Sequence, residues 1–198
     1  GPDGAELIVN ASEGLDAYDP STGIWLWHTG GHNEYPIAAA TYDDSGTLYT
    51  ARGHRAGPYM AIRLGGRGEV DESHVAWRVP TGAPYISSLL YYEGLIYMAN
   101  GNGIVTAVDA ETGRRVWQDR VGGIYSASPV AGDGKVYLFS ETGETVVLQA
   151  GRELHILQRN DLGERVVSSP AVSDQSMARA VFTVSPAGRM VRVCPESP

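Results

Sequence analysis

The stretch SLLYYEGLIYMANGNGIVTAVDAETGRRVWQDRVGG, Ser88 to Gly123, holds four short apolar runs separated by three turn signals. Leu89–Tyr92, Leu95–Ala99, Ile104–Val108 and Arg114–Arg120 are rich in β-branched and aromatic residues and too short for helices, so they predict strands. Glu93-Gly94, Asn100 to Gly103 and Asp109 to Gly113 supply residues that tolerate positive φ or accept backbone N–H bonds. A four-stranded meander of this size cannot bury both of its faces alone, so it needs neighbours of its own kind.

The rest of the chain provides them. Trp77, Trp117 and Leu157 are spaced 40 apart and read as equivalent fourth-strand positions, with Trp27 fifty residues before Trp77. Ser88, Ser128 and Ser169 mark first strands at intervals of 40 and 41. The turn Asp19-Pro20-Ser21-Thr22-Gly23 repeats Asp109-Ala110-Glu111-Thr112-Gly113. Three unrelated markers in one register of about 40 residues, with four strands per period, predict an all-β propeller of four-stranded antiparallel blades.

Blades fall at about 5–33, 34–84, 85–124, 125–165 and 166–195, making 1–198 a single propeller or propeller fragment. The first blade lacks its first strand and the last its fourth, a count of three, four, four, four and three. Open sheet edges invite pairing, so the expectation is the C-terminal part of a longer propeller completed by missing N-terminal blades or a second copy. The alternative is self-closure into a five-bladed ring. In the fourth blade Ala150-Gly151-Arg152-Glu153 reads as a shortened version of the Asp-Thr-Gly turn.

Composition narrows the function classes. The 198 residues are 42% hydrophobic and 19% charged, enough apolar material for a sizeable core. No apolar run approaches the ~20 residues of a membrane helix, so no transmembrane segment is expected. The net charge of −8 argues against a cationic face for phosphates, and hence against nucleic acid as partner. Cys194 is the single cysteine, which excludes an intrachain disulfide and a cysteine-rich metal site.

The second blade is about ten residues longer than the others. Its excess lies around Gly53 to Pro58 and Leu64 to Ser73, either side of a strand at Tyr59–Arg63. Insertions between blade strands project as loops, which is where propellers carry specificity. The candidate recognition surface is therefore Arg52, His54, Arg55, Arg63, Arg67, Glu69, Asp71, Glu72 and His74, for a protein partner or small ligand. His28, His32 and His54 fall at strand ends or loops, but their spacing matches no metal motif. Asp43-Asp44-Ser45-Gly46 reads as a hairpin turn rather than a calcium loop, and Gly65-Gly66-Arg67-Gly68 lacks the following helix of a phosphate loop. Ser87-Ser88, Ser126, Ser128 and Ser168-Ser169 either line the axial channel or simply fit crowded inner strands. No catalytic residue and no metal ligand is assigned.

The segments Ser126 to Tyr137 (SASPVAGDGKVY) and Val105 to Trp117 (VTAVDAETGRRVW) resemble the pyrroloquinoline-quinone-like (BamB-type) propeller repeat. The resemblance covers nearly the whole chain. It implies that Trp27, Trp77 and Trp117 dock between neighbouring blades. It also implies one of two function classes. Quinone-dependent dehydrogenases hold the cofactor with Ca²⁺ on the axis and use a stacking Trp and usually a vicinal Cys pair, which one cysteine cannot form. Binding and scaffold propellers of bacterial envelopes need only blades and loops. The expectation is the second class, non-catalytic and periplasmic or otherwise extracytoplasmic, with no cofactor; a quinone and Ca²⁺ dehydrogenase fragment is the alternative.

Overall fold

The structure is a computed structural model, and it describes residues 1–52, 57–70, 73–175, 178–184 and 190–192, with side chains up to 171. Five sheets follow one another along the chain, as expected of propeller blades, all antiparallel but for one strand added to the first. Blade A contains β1 (Leu7–Asn10), β2 (Leu15–Tyr18) and β3 (Trp25–Thr29). Blade B contains β4 (Thr41–Tyr42), β5 (Thr47–Ala51), β6 (Tyr59–Arg63) and β8 (Val75–Val79), with β7 (Gly68–Glu69) inserted between its last two strands. Blade C is β9 (Leu90–Tyr92), β10 (Leu95–Ala99), β11 (Ile104–Asp109) and β12 (Arg115–Arg120). Blade D is β13 (Val130–Gly132), β14 (Lys135–Phe139), β15 (Glu144–Gln149) and β16 (His155–Asp161). Blade E shows β17 (Ala171–Gln175), β18 (Ala178–Val184) and β19 (Met190–Arg192). The inner strands β4, β9, β13 and β17 lie side by side in that order.

The core lies between blades. In blades B to D the second and third strands are buried on both faces, as in β10, where all five residues are buried. Leu15, Trp27, Met60 and Ile62 fill the A–B seam, Tyr49, Ile96, Met98 and Val108 the B–C seam, and Tyr97, Val105, Leu138 and Leu148 the C–D seam. Each such side chain contributes roughly 1.5–3 kcal/mol on burial, so a blade draws its stability from packing on its neighbours.

Every outer strand of blades A to D carries a bulge at the same place. The register slips between Ala17 and Tyr18, Ala61 and Ile62, Ala107 and Val108, and Val147 and Leu148. Just before the slip, Ala17 faces Trp27, Ala61 faces Trp77 and Ala107 faces Trp117. In blade D, Val147 faces Gln158. Gln158, not Leu157, therefore occupies the tryptophan position, which corrects the 40-residue spacing. Between equivalent ladder pairs the chain runs one residue further in blade D, from Leu148 to Ile156, than in blade C, from Val108 to Arg115, so the turn is not shortened.

Blade A differs from its expected form in a second respect. The insertion after β6 does not project freely; it folds back as β7, which pairs in parallel with the outer edge of β3, Gly68 opposite Trp27 and Glu69 opposite His28. Val70 N–H then donates to His28 C=O at 2.8 Å. Blade A thus has four strands, in the order β1-β2-β3-β7, and the edge that β3 would expose is covered from the next blade.

A polar ladder ties the inner strands together. Ala39 N–H donates to Ser88 Oγ at 2.9 Å, Ser88 N–H to Ser128 Oγ at 3.0 Å, and Ser128 N–H to Ser169 Oγ at 2.9 Å. The periodic serines are accordingly inter-blade ties, which is why a small hydroxyl residue recurs there.

Candidate functional site

An up-and-down blade has two ends. The connections between strands two and three, and those leading from one blade to the next, form one face, here called the loop face. The turns between strands one and two, and three and four, form the opposite hairpin face. β6 separates the two halves of the second-blade insertion by five residues, about 17 Å of extended chain. Arg52 therefore lies on the loop face, while Arg63, Arg67, Glu69 and His74 lie on the hairpin side, so the sequence-predicted surface is not brought together as one. His54, Arg55, Asp71, Glu72 and Cys194 lie outside the described residues.

Arg52 is committed to structure. It is 4% exposed, and Nη1 donates to Asn10 Oδ1 at 3.0 Å and to Ala11 C=O at 3.3 Å. Nη2 donates to the carbonyls of Ser12 and Gly31. Asn10 Nδ2 in turn donates to Ala38 C=O at 2.9 Å. This clasp holds blade B to blade A at the seam where the ladder starts from Ala39, which has no hydroxyl. The planar guanidinium fork suits several carbonyls at once, which a lysine does not.

Arg67 and Glu69 belong to the strap over blade A. Arg67 Nη2 pairs with Asp3 at 3.0 Å, and Glu69 lies in β7. His74 Nδ1 is 2.9 Å from Ser73 Oγ. His28 lies on an outer strand beside Asp16, and His32 in a loop beside Glu13, so these two do not converge on the axis.

The tryptophans show how the strap changes the seam it covers. Trp77 Nε1 donates to Ala110 C=O at 2.8 Å and Trp117 Nε1 to Gly151 C=O at 3.1 Å, each acceptor lying in the next blade's third-to-fourth-strand turn. Gly113 lets that turn approach, since a Cβ there would sit 2.7 Å from the Trp77 ring. In blade B the equivalent turn is replaced by the insertion. Trp27 Nε1 donates instead to Glu6 Oε2 at 2.7 Å, and Glu6 Oε1 accepts Gly65 N–H at 2.9 Å.

The loop face carries the largest concentration of exposed apolar side chains. Ile37, Ile86 and Val167 stand two residues before Ala39, Ser88 and Ser169, and all three are 42–50% exposed. Tyr35, Tyr85 and Ile124 extend the patch, with the two tyrosine rings packed edge to face at 6.3 Å. The result is a collar around the inner ends of blades B to E. Its signal in the sequence is an apolar residue two before the ladder position in three of the four blades, Ser126 standing there in blade D and donating to Glu141, but exposure at that offset follows only from the packing of the blades.

The hairpin face holds a cleft between blades B and C of about 490 Å³, lined by Asp43, Tyr49, Arg63, Tyr91, Asp109 and Glu111. A second cleft of about 670 Å³ adjoins it through Asp43, Ser45, Thr47 and Arg63. Burial opposes ionisation of Asp43, but hydrogen bonds from Ser45, Thr47 and Tyr49 outweigh it and hold the carboxyl below the usual range. These same bonds close the Asp43 turn, as expected of a hairpin. Asp109 is also lowered, chiefly by the hydrogen bond from Arg152 at 2.9 Å.

Among the described residues no three His, Cys, Asp or Glu side chains are grouped so that they could hold a metal ion.

A family model described as outer membrane protein assembly factor BamB matches residues 11–195. The chain belongs to that family. Outer membrane protein assembly factor BamB of Marinobacter adhaerens is 27% identical over 102 residues, which is 52% of this chain and 24% of the relative. The crystal structure of BamB from Moraxella catarrhalis superposes with a TM-score of 0.68 at 17% identity, over 96% of this chain and 57% of that one. BBS1N, crystallised in complex with ARL6DN, reaches 0.72 at 14% identity, over 98% and 58%. At these identities the structural matches show the fold alone. The match covers about a quarter of the curated BamB, and the chain covers little more than half of the solved one.

Proposed function

We propose that this protein is a non-catalytic binding propeller of the bacterial envelope, exposed outside the cytoplasm, which docks a protein partner of outer-membrane assembly on its loop face. The observation that carries the reading is the collar: Ile37, Ile86 and Val167 recur at one position of the repeat in three of four blades and remain exposed. Apolar side chains surrounded by polar loops, on a scaffold of packed blades, are the composition of an interface core. Membership in the BamB family supports a protein partner and an extracytoplasmic compartment.

The test is site-specific photocrosslinking in a Gram-negative envelope, with the probe at Ile37 or Ile86 and, as control, at Leu157 on the outer rim. Adducts with envelope proteins from the collar and none from the rim support the reading. Adducts from the rim alone, or none at either place, overturn it. In parallel, quinone and Ca²⁺ added to the purified chain should leave its melting temperature unchanged, since a ligand of the native state would raise it.

A further inference from the structure

The hairpin face, opposite the collar, has a separate feature that the proposed function does not use. The two adjoining clefts share one wall, Asp43, Ser45, Thr47 and Arg63, and so form a continuous trough across blade B toward blade C. Its floor toward blade C is Tyr91, stacked on Tyr49 at 5.5 Å with the rings 4° from parallel. Tyr49 is itself fixed by its hydroxyl, which donates to Asp43 Oδ2 at 2.8 Å. The rings are thereby held rigid before anything binds.

The charges along the trough are mostly negative and only partly used. Asp43 and Asp109 stay ionised and are engaged within the protein. Asp44 and Glu111 are exposed at the two ends, and neither has an ion-pair or hydrogen-bond partner among the described residues. The cation common to both clefts is Arg63, exposed at the end of β6 and likewise without a side-chain partner there. An ammonium or guanidinium group resting on Tyr91 would gain from the ring face as well as from Glu111. The free N–H groups of Arg63 suit main-chain carbonyls of an extended segment. The net charge of −8 adds a field that attracts cationic segments to the surface.

We propose that this trough binds an extended, lysine- or arginine-bearing segment of a partner polypeptide, with Asp44 and Glu111 receiving the cationic side chains. The site lies on the face away from the collar, so the two surfaces allow two partners, or two parts of one, to be held at once, and each can fail without the other.

The test uses the whole chain and a fluorescently labelled peptide alternating lysine with threonine, followed by anisotropy near physiological salt. Saturable binding is expected, weakened about tenfold or more by Asp44→Lys combined with Glu111→Lys. The control is Glu13→Lys combined with Glu164→Lys, which makes the same change in net charge away from the trough and should leave binding intact. An equal loss in the control would mean that net charge alone attracts the peptide, and would overturn the proposal. Failure to bind, or equal binding of a peptide alternating glutamate with threonine, would overturn it too. Unchanged circular dichroism and melting temperature exclude misfolding as the cause of a loss.

Discussion

Ala107 lies directly across the ladder from Trp117, and the same alanine-to-tryptophan pairing recurs at Ala17 and Trp27 and at Ala61 and Trp77. The alanine has no side chain beyond Cβ, and the indole occupies the space. Where the tryptophan is lost, at Gln158, the facing residue is Val147. Enlarging Ala107 to Val should therefore force Trp117 out of place and cost about 1–3 kcal/mol. Trp117 is partly buried, so Trp117→Ala should cost less than the loss of a fully buried tryptophan, about 2 kcal/mol. Leu157→Ala, at a residue 49% exposed, should stay within about 0.5 kcal/mol. Denaturant unfolding of the three variants checks the order; a large effect at Leu157 would restore the simple 40-residue register.

The inner ladder predicts a pattern of small, equal losses. Ser88→Ala and Ser128→Ala each remove the hydroxyl that accepts a neighbouring blade's N–H. Each should lower stability by about 0.5–1.5 kcal/mol, the net value of a hydrogen bond. Amide exchange should quicken at Ala39 in the first variant and at Ser88 in the second. Exchange unchanged at those two amides would show that the ties are not made in solution.

Glu6 substitutes for the turn carbonyl that the insertion displaced from the A–B seam. Glu6→Ala leaves the indole N–H of Trp27, a residue fully buried, without its acceptor and should cost about 1–3 kcal/mol. Glu6→Gln keeps an acceptor and should recover much of that loss. Thermal unfolding of the two variants decides between a hydrogen-bonding and a merely space-filling role.

Burial governs the response to alkali. It pushes the Tyr125 hydroxyl up to about 12 and raises Tyr49, Tyr59 and Tyr97 as well. A phenol with a raised folded pKa favours the neutral form. Its contribution is complete below the unfolded value of about 10 and is lost as pH rises toward and through the folded one. Stability should therefore fall above about pH 10. Tyr125 Oη is buried without a partner, so Tyr125→Phe should be neutral or stabilising at pH 7 and should flatten the alkaline loss. A marked destabilisation at pH 7 would mean that the hydroxyl is satisfied in solution.

Much of the fold was legible because a β-propeller repeats its local chemistry. The turn residues at Asn100 to Gly103 and Asp109 to Gly113, and the strand patterns of β10 and β11, are local properties. Their recurrence fixed blade count and strand order before any packing was known. The register of β16 was not legible, because one extra residue in a turn shifts a bulge and leaves the spacing of conspicuous residues nearly unchanged. The recognition surface was read from the insertion's length and charge. Those properties cannot reveal that Arg52 and Arg63 end opposite-running strands, nor that Arg52 turns inward onto four oxygen atoms.

The sequence by itself determined that the chain is all-β, built of four-stranded units in which small serines begin the inner strands and tryptophans mark the outer ones. Each of those features follows from the conformational and steric preferences of a few adjacent residues. Only the tertiary structure decided that the insertion closes blade A as a parallel strand, that the periodic serines bond across blades, and that apolar side chains at one repeat position stay exposed. Those outcomes depend on which surfaces remain after neighbouring blades have packed, and contacts between residues about 40 apart arise only once the blades have stacked.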